Sequence, residues 1–245
     1  MTCIVRPLTC AWMTADFNLM VSGQQGRFHL PVGAFLIEHS QGLVLFDSGL
    51  HPELLTSKDR LGAVGSMFDI DLTPEGLVEG QLDKLGVDPA DVTIAVASHL
   101  HYDHCGGLGQ VPNARLVVQE AEWQAAHDPE AIAIGGYNPD DFELGHDRQM
   151  LDGDHDLFGD GTLVLRTSVG HTAGHQSLMV DGRLLLVGDA CYCRLALDLD
   201  SPPAFAFDED QQRASFAWLR AQEANGLQLV FSHDKDQWAT LGPTI

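Results

Sequence analysis

The sequence predicts an α/β protein, a four-layer αββα sandwich forming one domain over residues 1–245. Two observations lead to this fold class. Candidate strands fall into two clusters, one in each half of the chain, and helical patterns accompany each cluster. The length of 245 residues suits one two-sheet domain with a large core, and no long Ser/Gly-rich or charged block indicates a linker.

The first cluster of strands starts with a hairpin. The apolar stretches 33–38 and 43–46 flank a polar turn at 40–42, the pattern of paired strands with one well-buried face. Asp47 then ends the second strand. A turn aspartate and a residue that hydrogen-bonds a neighbouring loop are both open interpretations of Asp47.

A helix is predicted next, from Thr73 to Gly86. Pro74 suits a first helical turn, and glycine is a common helix stop. Apolar residues recur at helical spacing between these ends, and we expect them to pack on a sheet. They are Leu77, Val78, Leu82 and Leu85.

Strands predominate in the following part of the chain. The nearly continuous apolar run 92–97 is typical of a central strand covered on both faces, and it brings Ser98 and His99 to its carboxyl end. Asp181-Gly182 is a strong two-residue hairpin turn between two further strands. The remaining strand candidates are 115–118, 163–167, 177–180 and 184–187.

The last predicted elements are a helix over 208–224 and a strand over 227–231. Asn225-Gly226 separates them as a helix stop. The residues expected to face inward from the helix are Ala214, Phe216, Ala217, Leu219 and Ala221.

Charge and composition restrict the partners. The chain has 13 Lys and Arg against 35 Asp and Glu, a net charge of -22, which disfavours nucleic acid and anionic membrane surfaces. A neutral or weakly charged small molecule fits better. No secretory signal pattern and no apolar stretch of about 18 residues occur, so we expect a cytoplasmic protein without membrane insertion. The five cysteines have no framework spacing and are predicted to be reduced.

The segment after the central strand carries the chemistry. It contains His99, His101, Asp103 and His104, a density of donors that packing does not explain. If the segment turns into a helix near Asp103, His99 and His101 can converge on one ion while Asp103 and His104 face a second.

Three further donors each follow a strand candidate: His171, Asp189 and His233. Seven donors exceed the needs of one tetrahedral ion, so we expect two divalent ions about 3.5–4 Å apart with one bridging carboxylate. Imidazole and carboxylate favour zinc, with manganese, iron and cobalt as alternatives.

The run from His99 to His104 matches the HxHxDH signature and resembles the metallo-β-lactamase superfamily, with the three later donors in the family's order. The resemblance implies the metallo-β-lactamase fold. It also implies that His99, His101 and His171 bind one metal, that Asp103, His104 and His233 bind the other, and that Asp189 bridges.

Within that superfamily the chain looks most like the N-acyl-homoserine lactone lactonases, which quench quorum signals. The features that carry this narrower resemblance are Tyr192, three residues after Asp189, the segment 174–178, and the Gln-containing segment after His233. The resemblance runs over about residues 30–237. It implies a small-molecule lactone as substrate, and we expect a monomer or a homodimer.

A bridging water of lowered pKa would then attack the lactone carbonyl as hydroxide. The family resemblance assigns Tyr192 to the oxyanion, and Asp103 beside the metals is suited to carry the proton to the leaving alkoxide. Apolar residues outside the predicted elements either cover the core or line an acyl pocket, above all in loops 13–26 and 61–71. They are Met13, Phe17, Met20, Met67, Phe68, Phe142, Phe205 and Phe207.

Several residues near the motifs are predicted to have other roles. Cys191 and Cys193 are expected to pack without binding metal, and Cys105 is expected to neighbour the metals without being a ligand. His175 could orient a metal ligand. The histidines expected to lie on the surface or to be simply hydrogen-bonded are His29, His39, His51, His127, His146, His155 and His175.

Other functions on the same metals stay open: a thioesterase of the glyoxalase II type, a phosphodiesterase or a β-lactam hydrolase. The first two would need basic residues for their anionic substrates, and only 13 are present. A di-iron redox protein is a further alternative, but such relatives usually replace a histidine of the first motif by a carboxylate, and position 101 is histidine.

Overall fold

A computed structural model describes residues 2–134 and 136–245. The strands in these residues are β1 (Ile4–Asp16), β2 (Arg27–His39), β3 (Gly42–Phe46), β4 (Asp69–Asp71), β5 (Val92–Val96), β6 (Arg115–Gln119), β7 (Arg148–Leu151), β8 (His155–Asp156), β9 (Leu163–Thr167), β10 (Gln176–Val180), β11 (Leu184–Leu186) and β12 (Gln228–Val230). The helices are α1 (Phe17–Met20), α2 (Val78–Lys84), α3 (Tyr102–Cys105), α4 (Glu120–Ala125), α5 (Pro129–Ile134), α6 (Arg194–Leu199), α7 (Glu209–Ala224) and α8 (Lys235–Trp238).

Two mixed sheets contain these strands. The order of the seven-stranded sheet is β4-β1-β2-β3-β5-β6-β7, antiparallel as far as β3 and parallel from β3 to β7. The five-stranded sheet runs β12-β11-β10-β9-β8, and only its β11–β12 pair is parallel. The predicted hairpin is β2–β3, in which Phe35 lies opposite Phe46.

Successive side chains of a strand point to opposite faces of its sheet. Each sheet can therefore pack on the other sheet with one face and on helices with the other. On β5, Val96 joins a core shared with the other sheet, whereas Ala95 joins the core that also contains Val78 and Leu82 of α2. On the far side, Phe216 and Leu219 of α7 belong to the core that contains Leu185 and Leu229 of the second sheet. Helix, sheet, sheet and helix therefore form four layers, and the predicted fold class is confirmed.

The helix predicted from Thr73 to Gly86 begins later than expected. Pro74–Gly76 is a short 3-10 turn, Leu77 is extended with φ -55° and ψ 151°, and α2 starts at Val78. The turn packs closely on β1 beside the break, since a Cβ on Gly76 would lie 2.4 Å from the Cys10 carbonyl oxygen. Leu85, which was expected to pack on a sheet, is instead the exposed C-terminal cap of α2.

The predicted inward face of α7 is partly wrong. Phe216 and Leu219 are buried as expected, but Ala214, Ala217 and Ala221 are exposed. Gln212 and Ser215 take inward positions instead. Both polar side chains are buried because they donate hydrogen bonds to backbone carbonyls of the loops beneath, Ser215 to Val169 and Gln212 to Ala190.

The segments 13–26 and 61–71 are only partly loops. Residues 13–16 continue β1 and residues 69–71 form β4, which pairs with β1 at the sheet edge. The long β1 lacks a regular alternation of apolar residues, contains Pro7 and shifts register between Thr9 and Ala11, so its pattern is weak in the sequence.

The strand ends determine where the site lies. The parallel strands β3 and β5 end side by side, and they lead into Asp47 and Ser98. The parallel strands β11 and β12 likewise lead into the segments with Asp189 and His233. Among the described residues no helix is both long and apolar enough to cross a membrane.

Candidate metal centre

The structure brings the seven predicted ligands together at these strand ends. Their donor atoms form three overlapping groups. Within each group, all donor atoms lie within 4.8 Å of one another. The groups are His99 with His101 and His171, His99 with His104 and Asp189, and Asp103 with His104 and His233. Six of the seven residues are buried, and His101 is partly buried.

The first group is a triangle of imidazole nitrogens. His99 Nε2 lies 3.0 Å from His101 Nδ1, and His171 Nε2 lies 3.2 Å and 3.0 Å from these two atoms. Burial lowers the pKa of all three histidines, that of His101 to about 3. Three neutral rings that turn nitrogens towards one point offer lone pairs to a cation.

The second group combines a carboxylate with two imidazoles. Asp103 Oδ2 lies 3.7 Å from His104 Nε2 and 3.8 Å from His233 Nε2. Burial raises the pKa of Asp103, although the two histidines oppose this shift. Burial opposes charge on His104 and His233 too, but the carboxylates of Asp189 and Asp103 raise the pKa of both. The group therefore attracts positive charge.

Asp189 lies between the two groups. Its Oδ1 is 3.1 Å from His233 Nε2 and 3.3 Å from His104 Nε2, and its Oδ2 is 3.4 Å from His171 Nε2. Burial favours the neutral acid, but His104 and His233 lower the pKa of Asp189 well below its usual value. Asp189 Oδ1 and His104 Nε2 are buried without a hydrogen-bond partner among the described residues. Such unpaired atoms fit divalent cations on both sides of Asp189.

Hydrogen bonds from their Nδ1 atoms fix the imidazole rings of His104 and His233. Asp47 accepts hydrogen bonds from the Ser98 backbone N–H at 2.7 Å, from the Ser98 hydroxyl at 2.9 Å and from His104 Nδ1 at 2.8 Å. His233 Nδ1 donates to the Pro31 carbonyl at 2.8 Å. Asp47 thus hydrogen-bonds the loop of the first motif, one of the two roles that the sequence left open.

Asp47→Asn is expected to weaken metal binding or activity about 10–100-fold. All three donors that reach Asp47 need an acceptor, and one of them would face an amide N–H₂ group. The measurement is metal content after dialysis together with kcat/KM, with the exposed Asp69→Asn as control. Unchanged metal content and rate in Asp47→Asn would show that His104 is oriented without it.

Two residues hold the Asp189 segment. His175 Nε2 accepts a hydrogen bond from the Asp189 backbone N–H at 2.8 Å, and burial lowers its pKa to about 3, so it is neutral. Gln212 Nε2 donates to the carbonyls of Asp189 and Ala190 at 3.1 Å and 2.6 Å. Sequence reasoning missed Gln212, although its position four residues before Phe216 on the same helix face was readable.

The other histidines and the cysteines lie outside the three groups of donor atoms within the described residues. The six other histidines belong to none of the three groups: His29, His39, His51, His127, His146 and His155. All five cysteines are free and buried, and Cys191 Sγ donates to the Cys193 carbonyl instead of pointing at a metal group.

A cavity of about 420 Å³ opens over the metal groups. Asp103, Asp189 and Tyr192 line its base, and none of its described lining residues is Lys or Arg. Most of its wall is apolar, and six of the eight apolar residues singled out in the sequence line it: Met13, Met20, Met67, Phe68, Phe205 and Phe207. Phe17 stacks on Phe28, and Phe142 is in the core.

Comparison with known families settles the relationship. The model of the metallo-beta-lactamase superfamily matches residues 29–233. The chain belongs to the metallo-β-lactamase superfamily. The matched region contains all seven predicted ligands, and the resemblance inferred from the HxHxDH motif is confirmed.

Similar proteins within the superfamily include N-acyl homoserine lactonases. The chain is 38% identical to the N-acyl homoserine lactonase AttM of Azorhizobium caulinodans, over 89% of this chain and 88% of that protein. It is 30% identical to the N-acyl homoserine lactonase AiiA of Bacillus thuringiensis subsp. kurstaki, over 85% and 83%.

Solved structures agree with the sequence relatives. A mutant of B. thuringiensis AiiA with N-decanoyl-L-homoserine at its active site superimposes with a TM-score of 0.88 at 25% identity, over 99% of this chain and 98% of that one. An N-acyl homoserine lactone hydrolase with its product N-hexanoyl-L-homoserine at the catalytic metal centre has a TM-score of 0.87 at 25% identity, with the same coverage.

Proposed function

We propose that this superfamily member is a metal-dependent hydrolase that opens the lactone ring of N-acyl-homoserine lactones and so quenches quorum signals. The observation that carries the proposal is the apolar cavity that opens directly over the clustered histidines and aspartates. A cavity of this kind suits a ligand with a polar ring and an acyl chain. The lactonase activity of the relatives, at up to 38% identity, supports the same substrate.

The proposed ligand set uses all seven residues of the cluster. His99, His101 and His171 would hold one ion and Asp103, His104 and His233 would hold the other, with Asp189 lying between the two groups. Zinc is the proposed metal because imidazole and carboxylate suit it, with iron, cobalt and manganese as alternatives. When bound, two such ions supply a water of lowered pKa and an electrophile for the substrate carbonyl.

Tyr192 is proposed to stabilise the oxyanion of the tetrahedral intermediate. Its ring lies 5.6 Å from that of His171 and 5.3 Å from that of His233, at the base of the cavity. Burial raises the pKa of its hydroxyl well above the usual value, and Asp189 and Asp103 add to this shift. The hydroxyl therefore keeps its proton and can donate it in a hydrogen bond.

Tyr192→Phe is expected to lower kcat about 10–1000-fold, because one oxyanion donor is lost while the ring and its packing stay. The check is steady-state kinetics with protein of measured metal content. Wild-type kcat in a variant that retains its metal would mean that the Tyr192 hydroxyl does not reach the reacting carbonyl.

Asp103 is proposed to return a proton to the leaving alkoxide. It lies beside His104 and His233 and lines the cavity, so it borders both the metal group and the substrate. A carboxylate at the border of the metal group and the cavity is placed to take up a proton and pass it to the leaving group. The product is an open-chain hydroxy acid.

The cavity also bears on the alternative substrates. A phosphodiester or a glutathione thioester carries negative charges that Arg or Lys usually bind, and the described lining contains neither. The net charge of -22 adds to the repulsion of anionic substrates. A neutral lactone avoids this repulsion.

We further propose that residues 1–245 form one domain, because both sheets contribute to one shared core. Five free cysteines fit a reducing compartment, which supports a cytoplasmic location. One chain supplies all seven proposed ligands, so the activity fits a monomer or a homodimer.

The test is a substrate panel, measured by proton release with metal-loaded protein. It contains a short-chain and a long-chain N-acyl-homoserine lactone, a glutathione thioester and a phosphodiester. We expect rapid lactone opening that a chelator abolishes. Cleavage of the thioester or the phosphodiester without lactone opening would contradict the proposed substrate and leave the proposed metal ligands intact.

A further inference from the structure

Glu122 is a fully buried carboxylate in the first turn of α4. No Lys, Arg or His of the described residues forms an ion pair with it. A buried carboxylate without a cation is costly unless hydrogen bonds replace its lost water. The donors that surround Glu122 should therefore explain why the protein keeps it.

Three donors reach this carboxylate, and each belongs to a different segment. Oε1 accepts a hydrogen bond from the Leu100 backbone N–H at 3.0 Å and one from the Tyr137 hydroxyl at 3.0 Å. Oε2 accepts one from the Gly174 backbone N–H at 3.1 Å. One side chain thus connects three segments that are far apart in the sequence.

Each of these segments supports the three-histidine group of His99, His101 and His171. Leu100 lies between His99 and His101, and Gly174 follows His171 by three residues. The Tyr137 ring lies 4.7 Å from the His101 ring, and the two residues also form a β-bridge. The contacts of Glu122 therefore converge on one of the two proposed metal sites.

The approach of α4 to the loop after His171 is unusually close. A Cβ on Gly174 would lie 2.2 Å from the Glu122 backbone nitrogen, so only glycine fits there. This close contact brings the Gly174 N–H within reach of Glu122 Oε2. Helix and loop are thus held in one fixed arrangement.

The other metal group is held by different partners. Asp47 accepts from His104 Nδ1, and the Pro31 carbonyl accepts from His233 Nδ1. Glu122 has no hydrogen bond to the segments of either histidine. Asp47 also holds Ser98, whose hydroxyl lies 3.0 Å from His99 Nδ1, so Asp47 reaches both groups. The three donors to Glu122 lie only in the segments around the three-histidine group.

We propose that Glu122 is a positioning residue for the three-histidine group, and that it sets the affinity for the ion bound there with little effect on the ion bound by Asp103, His104 and His233. This inference rests on the proposed ligand set but not on the proposed substrate. Residues that orient metal ligands typically change metal affinity about 10–100-fold when they are replaced.

The test is Glu122→Gln with Co²⁺ as the probe. A glutamine has one oxygen, so either the Leu100 or the Gly174 N–H would face an amide N–H₂ group. We expect wild-type protein to hold two ions per chain in a chelator titration, and the variant to bind one of them about 10–100-fold more weakly. Paramagnetically shifted ring signals should then remain from two histidines, His104 and His233, instead of five.

Glu120→Gln is the matched control, since it makes the same change on the exposed side of the same helix, where Glu120 accepts only from Gln124. It should bind both ions as wild type does. If Glu122→Gln does not fold, Tyr137→Phe removes one of the three donors and should weaken the same ion by a smaller factor.

Two results would overturn the inference: wild-type affinity for both ions in Glu122→Gln, or an equal loss of both. In Tyr137→Phe, wild-type affinity for the three-histidine ion would overturn it likewise. If wild-type protein itself binds no ion at the three histidines, the proposed metal site fails instead, and the two failures are distinct.

Discussion

Asp189→Asn is expected to lower kcat/KM about 10³-fold or more. Asp189 is the carboxylate shared by both metal groups, with one oxygen 3.1 Å from His233 Nε2 and the other 3.4 Å from His171 Nε2. An amide would turn an N–H₂ group towards one side and remove the negative charge that both ions need. Metal-assisted stabilisation is worth several kcal/mol, and each 1.4 kcal/mol is a factor of ten in rate.

The measurement is kcat/KM together with metal content per chain. Asp198→Asn, an exposed aspartate of α6, is the control and should behave as wild type. A variant of Asp189 that keeps both ions and the wild-type rate would refute the shared-carboxylate assignment.

Asp103→Asn is expected to lower kcat about 10²–10⁴-fold, the range for loss of a positioned acid or base. Asparagine keeps the volume of the side chain but cannot carry a proton to the leaving group. The loss should be smaller for a thiolactone, because a thiolate leaves without being protonated. Kinetics with a matched lactone and thiolactone measure this difference.

Metal content separates the two proposed roles of Asp103. A variant that keeps both ions and loses rate mainly on the lactone has lost the proton carrier. Equal losses on both substrates, accompanied by loss of metal, would mean that Asp103 acts only as a ligand.

The sequence predicts the fold class and the composition of the cluster well, for local reasons. The HxHxDH motif follows a strand whose apolar run is unmistakable, so the sequence alone assigns His99 to His104 to a strand end. The later donors also follow strands. The predicted bounds of β3 and α7 agree with the structure to within one residue. The first strand of the hairpin was predicted too short, because β2 begins at Arg27 and not at residue 33.

The elements that sequence reasoning missed depend on contacts between distant segments. The polar inward face of α7 exists because Gln212 finds carbonyl acceptors in a loop more than twenty residues away. The turn before α2 packs on β1 through Gly76, a contact between segments that are far apart in the sequence. Glu122 was not recognised for the same reason, since its three donors come from segments that meet only in the fold.

The metal groups draw residues from both halves of the chain, since His99 to His104 follow β5 whereas His171, Asp189 and His233 lie beyond β9. Neither half alone can present a full ligand set, so the ions bind tightly only after the two sheets have assembled. Ligand binding to the native state alone stabilises it by about 2.7 kcal/mol at a free concentration of 100 Kd. The melting temperature of this protein should therefore rise with free metal concentration, and metal starvation in a cell would favour unfolding and proteolysis as well as loss of activity.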